Sequence, residues 1–92
     1  MYNDKKRAQV VFFLERAHSL RHSGRPVTRR MMTEAINETA KEYNITQQTV
    51  RRNLELAFGL TNGMDELETL LNGDNKEVME RLDKSFGSKK GG

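Results

Sequence analysis

Apolar residues recur at a spacing of three or four along most of the chain, and this periodicity restricts the fold more than any other feature. The spacing places them on one face of a helix, and no stretch alternates apolar and polar residues as a strand does. Short polar breaks divide the pattern, which predicts five helices over about residues 4–22, 28–44, 46–58, 64–71 and 74–86. Since 92 residues suffice for one domain, we expect an all-α bundle over residues 1–86 and a disordered tail over residues 87–92.

Residues with special backbone or capping properties stand where the periodic segments begin and end. Gly24 follows the first segment and Gly59 follows the third, and glycine readily adopts the left-handed conformation that often ends a helix. Thr28 is the expected cap of the second helix, because its side chain accepts a hydrogen bond from a free N–H group. The spacing of Asp74 and Glu77 matches a capping box at the start of the fifth helix.

The positive charge of the chain is concentrated near its N-terminus. Residues 1–30 contain eight Lys or Arg and two acidic residues, a net charge of +6, although the whole chain carries only +3. A basic segment favours an anionic partner such as nucleic acid or a membrane surface, while solubility alone is the commoner reason for scattered lysines. Lys5, Lys6 and Arg7 are interpreted either as an arm that contacts phosphate or as a disordered cluster.

Several classes of protein do not fit the sequence. There is no cysteine for a disulfide or a thiolate zinc site, and the longest apolar run, Val10 to Leu14, is far shorter than the roughly 20 residues of a membrane span. His18 and His22 lie four apart, but no third metal ligand is placed near them. Short helices with few apolar residues are not expected to enclose a catalytic pocket. We therefore expect a cytoplasmic protein that is not an enzyme, with no metal, cofactor or small-molecule substrate.

Residues 36–55 meet the requirements of two helices that cross steeply at a short turn. Ala40 is small enough for the helices to approach each other closely. Asn44 is the best choice after glycine for a turn residue with positive φ. The other apolar residues complete the underside of the pair: Tyr43, Ile45, Val50 and Leu54. Four long polar side chains are then left together on the outer face of the second helix, and we call them the polar ridge: Gln47, Gln48, Arg51 and Arg52.

This segment resembles the helix-turn-helix of phage Cro and repressor proteins. The resemblance is carried by Ala40, Asn44, Ile45 and Val50 and covers about twenty residues, with asparagine where the family usually has glycine. The resemblance implies that the second helix of the pair, about residues 46–58, enters the major groove of DNA. It also implies that the polar ridge contacts bases there.

The chemistry of the predicted contacts suits this role. Glutamine pairs with the donor and acceptor of adenine, and arginine with the two acceptors of guanine. Phosphate contacts are expected from Thr46 at the start of the helix and from three basic residues near the preceding one: Arg25, Arg29 and Arg30. Because one such helix spans few base pairs, operators of this kind are usually bound by a two-fold dimer. A homodimer is therefore expected.

The sequence thus predicts a protein that binds double-stranded DNA in a sequence-specific manner, as a bacterial or phage transcriptional regulator does. The alternative is a helical protein-interaction module, either an adaptor or an anti-defence factor, whose outer face docks onto another protein. A third possibility is binding of RNA, or of nucleic acid without specificity, through charge alone. The few aromatic residues, 7% of the chain, provide little surface on which unpaired bases stack.

Overall fold

The computed structural model describes residues 4–20 and 24–86, and this part of the chain contains five α-helices and no strand. The result confirms the prediction of an all-α bundle of about five helices. The predicted end of the first helix at His22 and the tail over residues 87–92 lie outside the described residues. The helices are α1 (Asp4–Leu20), α2 (Arg29–Tyr43), α3 (Gln47–Phe58), α4 (Gly63–Leu71) and α5 (Asn75–Phe86).

One hydrophobic cluster holds the bundle together. Each helix contributes its periodic apolar face to this cluster, and Val27 joins it from the segment before α2. Phe13 of α1, Met32 of α2 and Phe58 of α3 are among the largest side chains that are fully buried. Burying a side chain of this size stabilises a fold by about 1.5–3 kcal/mol, and α4 and α5 likewise each bury a leucine completely, Leu67 and Leu82.

Most helix ends follow from local sequence. The side chain of Thr28 accepts a hydrogen bond from the backbone N–H of Met31 at 3.2 Å and caps α2. Gly24 has φ 76°, and Gly59, with φ 61°, ends α3 in the left-handed conformation that was expected of both glycines. The turn after α4 is more specific. Both functional groups of the Asn72 side chain bond to the backbone of Val27, which ties α4 to the segment before α2.

The capping box predicted for α5 is wrong, because neither of its two side-chain hydrogen bonds joins Asp74 and Glu77. Asp74 does cap the helix, but its Oδ1 accepts from the backbone N–H of Lys76 at 3.0 Å rather than from that of Glu77. The Glu77 carboxylate does not reach back to Asp74 and instead pairs with Arg81 one turn later, with 3.1 Å between Oε2 and Nη2. A full guanidinium charge competes better for a carboxylate than one backbone N–H does.

α1 and α2 lie side by side in opposite directions. The hydroxyl of Tyr43, at the end of α2, donates to the carbonyl of Ala8 near the start of α1, and the Phe12 ring packs edge-on against the Tyr43 ring. One turn further along α1, Arg16 pairs with Glu38 of α2. The start of α1 therefore lies close to the end of α2 and to the chain that leads into α3. No helix among residues 4–20 and 24–86 is long and apolar enough to span a membrane.

Candidate nucleic-acid interface

A three-residue link, residues 44–46, joins α2 to α3, and Asn44 reverses the chain there. Its φ of 55° and ψ of 48° lie in the left-handed region. The N–H of Ile45 donates to the carbonyl of Ala40 at 3.0 Å, and the N–H of Asn44 donates to that of Lys41 at 3.3 Å. This pair of bonds is a Schellman motif. It satisfies carbonyls that the end of a helix otherwise leaves free, and the partly buried Ile45 packs against the core.

Thr46 begins α3 as its N-cap. The Thr46 hydroxyl accepts from the backbone N–H of Thr49 at 3.1 Å, which orients the first turn of the helix. Val50 and Leu54 lie on the buried face of α3, and Ala40 of α2 is also buried. The residues on which the resemblance depends thus hold α3 against the core and leave its outer face toward solvent.

All four side chains of the polar ridge are exposed. None of them forms a hydrogen bond or an ion pair with another residue in the described part of the chain. Four long side chains that carry amide and guanidinium donors are therefore available to an external partner along the first half of α3. Their contact with bases stays a prediction.

The ridge borders a cavity that sequence analysis did not predict. The cavity, which we call the α1–α3 cleft, measures about 540 Å³ and lies where the first turns of α1 meet the first half of α3. Two ridge residues, Gln48 and Arg52, belong to both surfaces. The residues that line the cleft are Lys5, Lys6, Gln9, Thr46, Gln48, Thr49, Arg52 and Asn53.

The basic residues near the N-terminus divide between two faces of α1. Lys5 and Lys6 belong to the first turns of the helix and line the cleft, and their contact with phosphate stays a prediction. Arg7 lies on the other side of α1, beside Phe12 and Tyr43. The helical period would have revealed this division, because residues 5, 6 and 9 share a face once α1 starts at Asp4.

A pair of buried amides joins the two helices beneath the cleft. Asn53 Nδ2 of α3 donates to Gln9 Oε1 of α1 at 2.7 Å, and the two residues are 6% and 7% exposed. The Gln9 Nε2 group has no hydrogen-bond partner among residues 4–20 and 24–86. No local pattern in the sequence indicates this pair, because the two residues lie 44 positions apart.

Arg25, Arg29 and Arg30, near the start of α2, are the other residues predicted to contact phosphate. They lie at the opposite end of α2 from the polar ridge. At a rise of about 1.5 Å per residue, the 15 residues of α2 separate its two ends by about 21 Å. Arg25 and Arg30 are exposed there. Arg29 contacts two acidic residues of α4, pairing with Asp65 and, at 3.7 Å, with Glu68. These carboxylates offset the charge that Arg29 would present to a phosphate.

The described residues contain no group of three or more side chains suited to hold a metal ion. His18 lies on the exposed surface of α1, and His22 lies outside the described residues.

Comparisons with protein-family models, with curated proteins and with solved structures found no match to this chain. The function proposed below accordingly rests on the residues and geometry of α3 and its surroundings.

Proposed function

We propose that the protein binds double-stranded DNA in a sequence-specific manner, with α3 in the major groove, and acts as a transcriptional regulator of bacterial or phage type. The observation that carries the proposal is the polar ridge: four exposed side chains, rich in hydrogen-bond donors, without a partner in the described chain. The major groove of B-DNA, about 12 Å wide, admits an α-helix. Long amide and guanidinium side chains on that helix reach the base edges.

Each type of side chain in the ridge has a definite partner in the groove. Arg51 or Arg52 pairs with O6 and N7 of guanine, and Gln47 or Gln48 with N6 and N7 of adenine. Thr46, at the start of α3, lies where the backbone of the strand passes and contacts a phosphate. A pair of protomers reads two half-sites about 34–36 Å apart, which is one turn of the duplex.

The proposal is tested by selecting bound sequences from a random duplex pool. We expect enrichment of a palindromic consensus, and a ratio of two protomers to one duplex by sedimentation. Binding to the selected site should weaken steeply as salt rises, since phosphate contacts release counterions. If the pool remains random after selection, the protein does not bind DNA in a sequence-specific manner and the proposal is rejected.

Single substitutions in the ridge identify the residues that read bases. Arg51→Ala and Gln48→Ala should each reduce discrimination between the selected site and random duplex by about 1–3 kcal/mol, which is roughly 5- to 150-fold. Lys84→Ala, on the exposed face of α5, is the control and should leave the preference unchanged. Competition binding with both duplexes provides the measurement. If both ridge variants keep the preference of the wild type, the ridge does not read bases.

The alternative of a protein-interaction module has one observation in its favour. Leu56 is 62% exposed and lies four residues after Arg52, on the same side of α3. A single exposed leucine is common on protein surfaces, whereas interfaces with proteins usually present a contiguous apolar patch. The ridge is polar along its length, which favours DNA.

A further inference from the structure

We propose that the α1–α3 cleft is a phosphate-binding site and that it holds a backbone phosphate of the DNA strand beside the groove occupied by α3. The inference rests on the proposed function and extends it to α1. Lys5 and Lys6, which line the cleft, thereby become DNA contacts.

The charge of the cleft favours an anion. Lys5 and Lys6 enter it from α1 and Arg52 enters it from α3, and none of the residues that line it is acidic. Cationic side chains from two helices therefore surround one cavity. An anion that neutralises them gains salt-dependent affinity without any requirement for a particular base.

The lining of the cleft provides a hydrogen-bond donor that the protein itself does not use. Gln9 is more than nine-tenths buried, lines the cleft and has an Nε2 group without a partner in the described chain. Among the described residues, the buried side-chain polar atom without a partner is Asn37 Oδ1, so the Gln9 Nε2 group is reached from the open cleft, where an acceptor from outside can bind it. A phosphate oxygen is such an acceptor, and the lysines supply the matching charge.

The position of the cleft agrees with a strand that passes along α3. Gln48 and Arg52 border both the cleft and the polar ridge, so the two surfaces are continuous. A strand whose bases meet the ridge brings its backbone to the lysines of α1. The sugar-phosphate chain can continue past the site because the cleft opens onto the surface.

The experiment measures the dependence of binding on salt for the full chain and two double variants. Lys5→Gln/Lys6→Gln should weaken binding to the selected site and to random duplex by the same factor. It should also reduce the slope of log affinity against log salt concentration by about 0.9 for each phosphate that the variant no longer neutralises. Arg7→Gln/Lys76→Gln removes the same charge from the far side of α1 and from α5, and should keep the wild-type slope. Circular dichroism verifies that both variants are folded.

A second measurement uses inorganic phosphate and does not depend on DNA. Phosphate added to the wild type should shift the side-chain amide signals of Gln9 in a ¹⁵N-labelled sample, and should not do so in Lys5→Gln/Lys6→Gln. The phosphate site would be overturned if the two double variants had equal slopes of log affinity against log salt and phosphate did not shift the Gln9 amide signals. If the protein still bound DNA selectively, the proposed function would remain intact. A Gln9 shift without any binding of duplex would reject the proposed function and the DNA occupant while retaining a phosphate site.

Discussion

Asn44 has the most demanding backbone conformation of the non-glycine residues that the structure describes. Among the described residues it is the sole non-glycine residue with positive φ, at 55°. For most residues this conformation costs about 1–2 kcal/mol, because Cβ approaches the following carbonyl oxygen. Asparagine tolerates the left-handed conformation better than most residues, and the two hydrogen bonds of the Schellman motif stabilise it. The direction in which α3 leaves α2 therefore depends on this position.

Substitution at Asn44 should separate the backbone requirement from any effect of its side chain. Asn44→Gly is expected to keep the stability of the wild type, whereas Asn44→Val should lower the free energy of unfolding by about 1–2 kcal/mol. Glu34→Val, an exposed position in the middle of α2, is the control and should cost less than about 0.7 kcal/mol. Urea denaturation of the four proteins measures the differences. Equal decreases in the two valine variants would contradict the role of the positive φ.

At the scale of helices, the packing of α1 against α3 includes a buried polar contact beneath the α1–α3 cleft. The hydrogen bond from Asn53 to Gln9 crosses between the two helices and is almost completely buried. A buried amide is stable only with a matching partner, so the pair disfavours other rotational positions of α3 against α1. The orientation of the ridge relative to Lys5 and Lys6 follows from this contact.

A double-mutant cycle tests this contact. Gln9→Met and Asn53→Leu replace the amides by apolar groups of similar shape, and each alone leaves a buried partner unsatisfied at a cost of about 1–3 kcal/mol. In the double variant neither amide remains, so its decrease in stability should be smaller than the sum of the two single decreases by at least about 0.5 kcal/mol. The measurement is again the free energy of unfolding in urea. Additive effects would show that the bond does not couple the helices.

For the molecule as a whole, one ionic network joins the three helices of the C-terminal half. Glu66, at the start of α4, accepts from the backbone N–H groups of Thr61 and Asn62 at 2.7 and 3.0 Å. Its other oxygen pairs with Arg81 of α5, which also donates to the carbonyl of Phe58 at the end of α3. Protonation of Glu66 therefore weakens contacts that hold α3, α4 and α5 together.

The network predicts a specific dependence of stability on pH. The hydrogen bonds from Thr61 and Asn62, followed by Arg81, lower the pKa of Glu66 below its ordinary value of 4.5. The unfolded chain then binds more protons than the folded one in this range. The stabilisation from Glu66 is complete above pH 4.5 and disappears as the pH falls through the lower folded pKa.

We expect the wild type to lose more unfolding free energy than Glu66→Gln when the pH falls from about 6 to about 3. Glu80→Gln, at an exposed position of α5, should lose as much as the wild type and serves as the control. Urea denaturation at both pH values provides the comparison. A parallel decline in all three proteins would exclude Glu66 as the group responsible.

The features that sequence analysis anticipated are those decided within a few residues. The caps at Thr28 and Thr46 and the stop at Gly59 depend on neighbours three to five positions away. For Glu77, local spacing predicted the wrong partner. Its spacing from Asp74 suited a capping box, but its carboxylate pairs with the guanidinium of Arg81, one turn later. When two nearby groups can bond to the same carboxylate, the spacing of residues in the sequence alone does not predict which bond forms.

Helical periodicity and capping were sufficient to predict the all-α class, five helices, most of their ends and the apolar faces that form the core, because these depend on interactions within about one turn. Tertiary packing alone decided three other features: the position of Lys5 and Lys6 beside α3, the Gln9–Asn53 bond, and the pairing of Arg29 with α4. The last two join residues 44 and 36 positions apart. Such contacts depend on how the helices cross, and crossing is set by the interdigitation of many side chains at once, which no local pattern encodes.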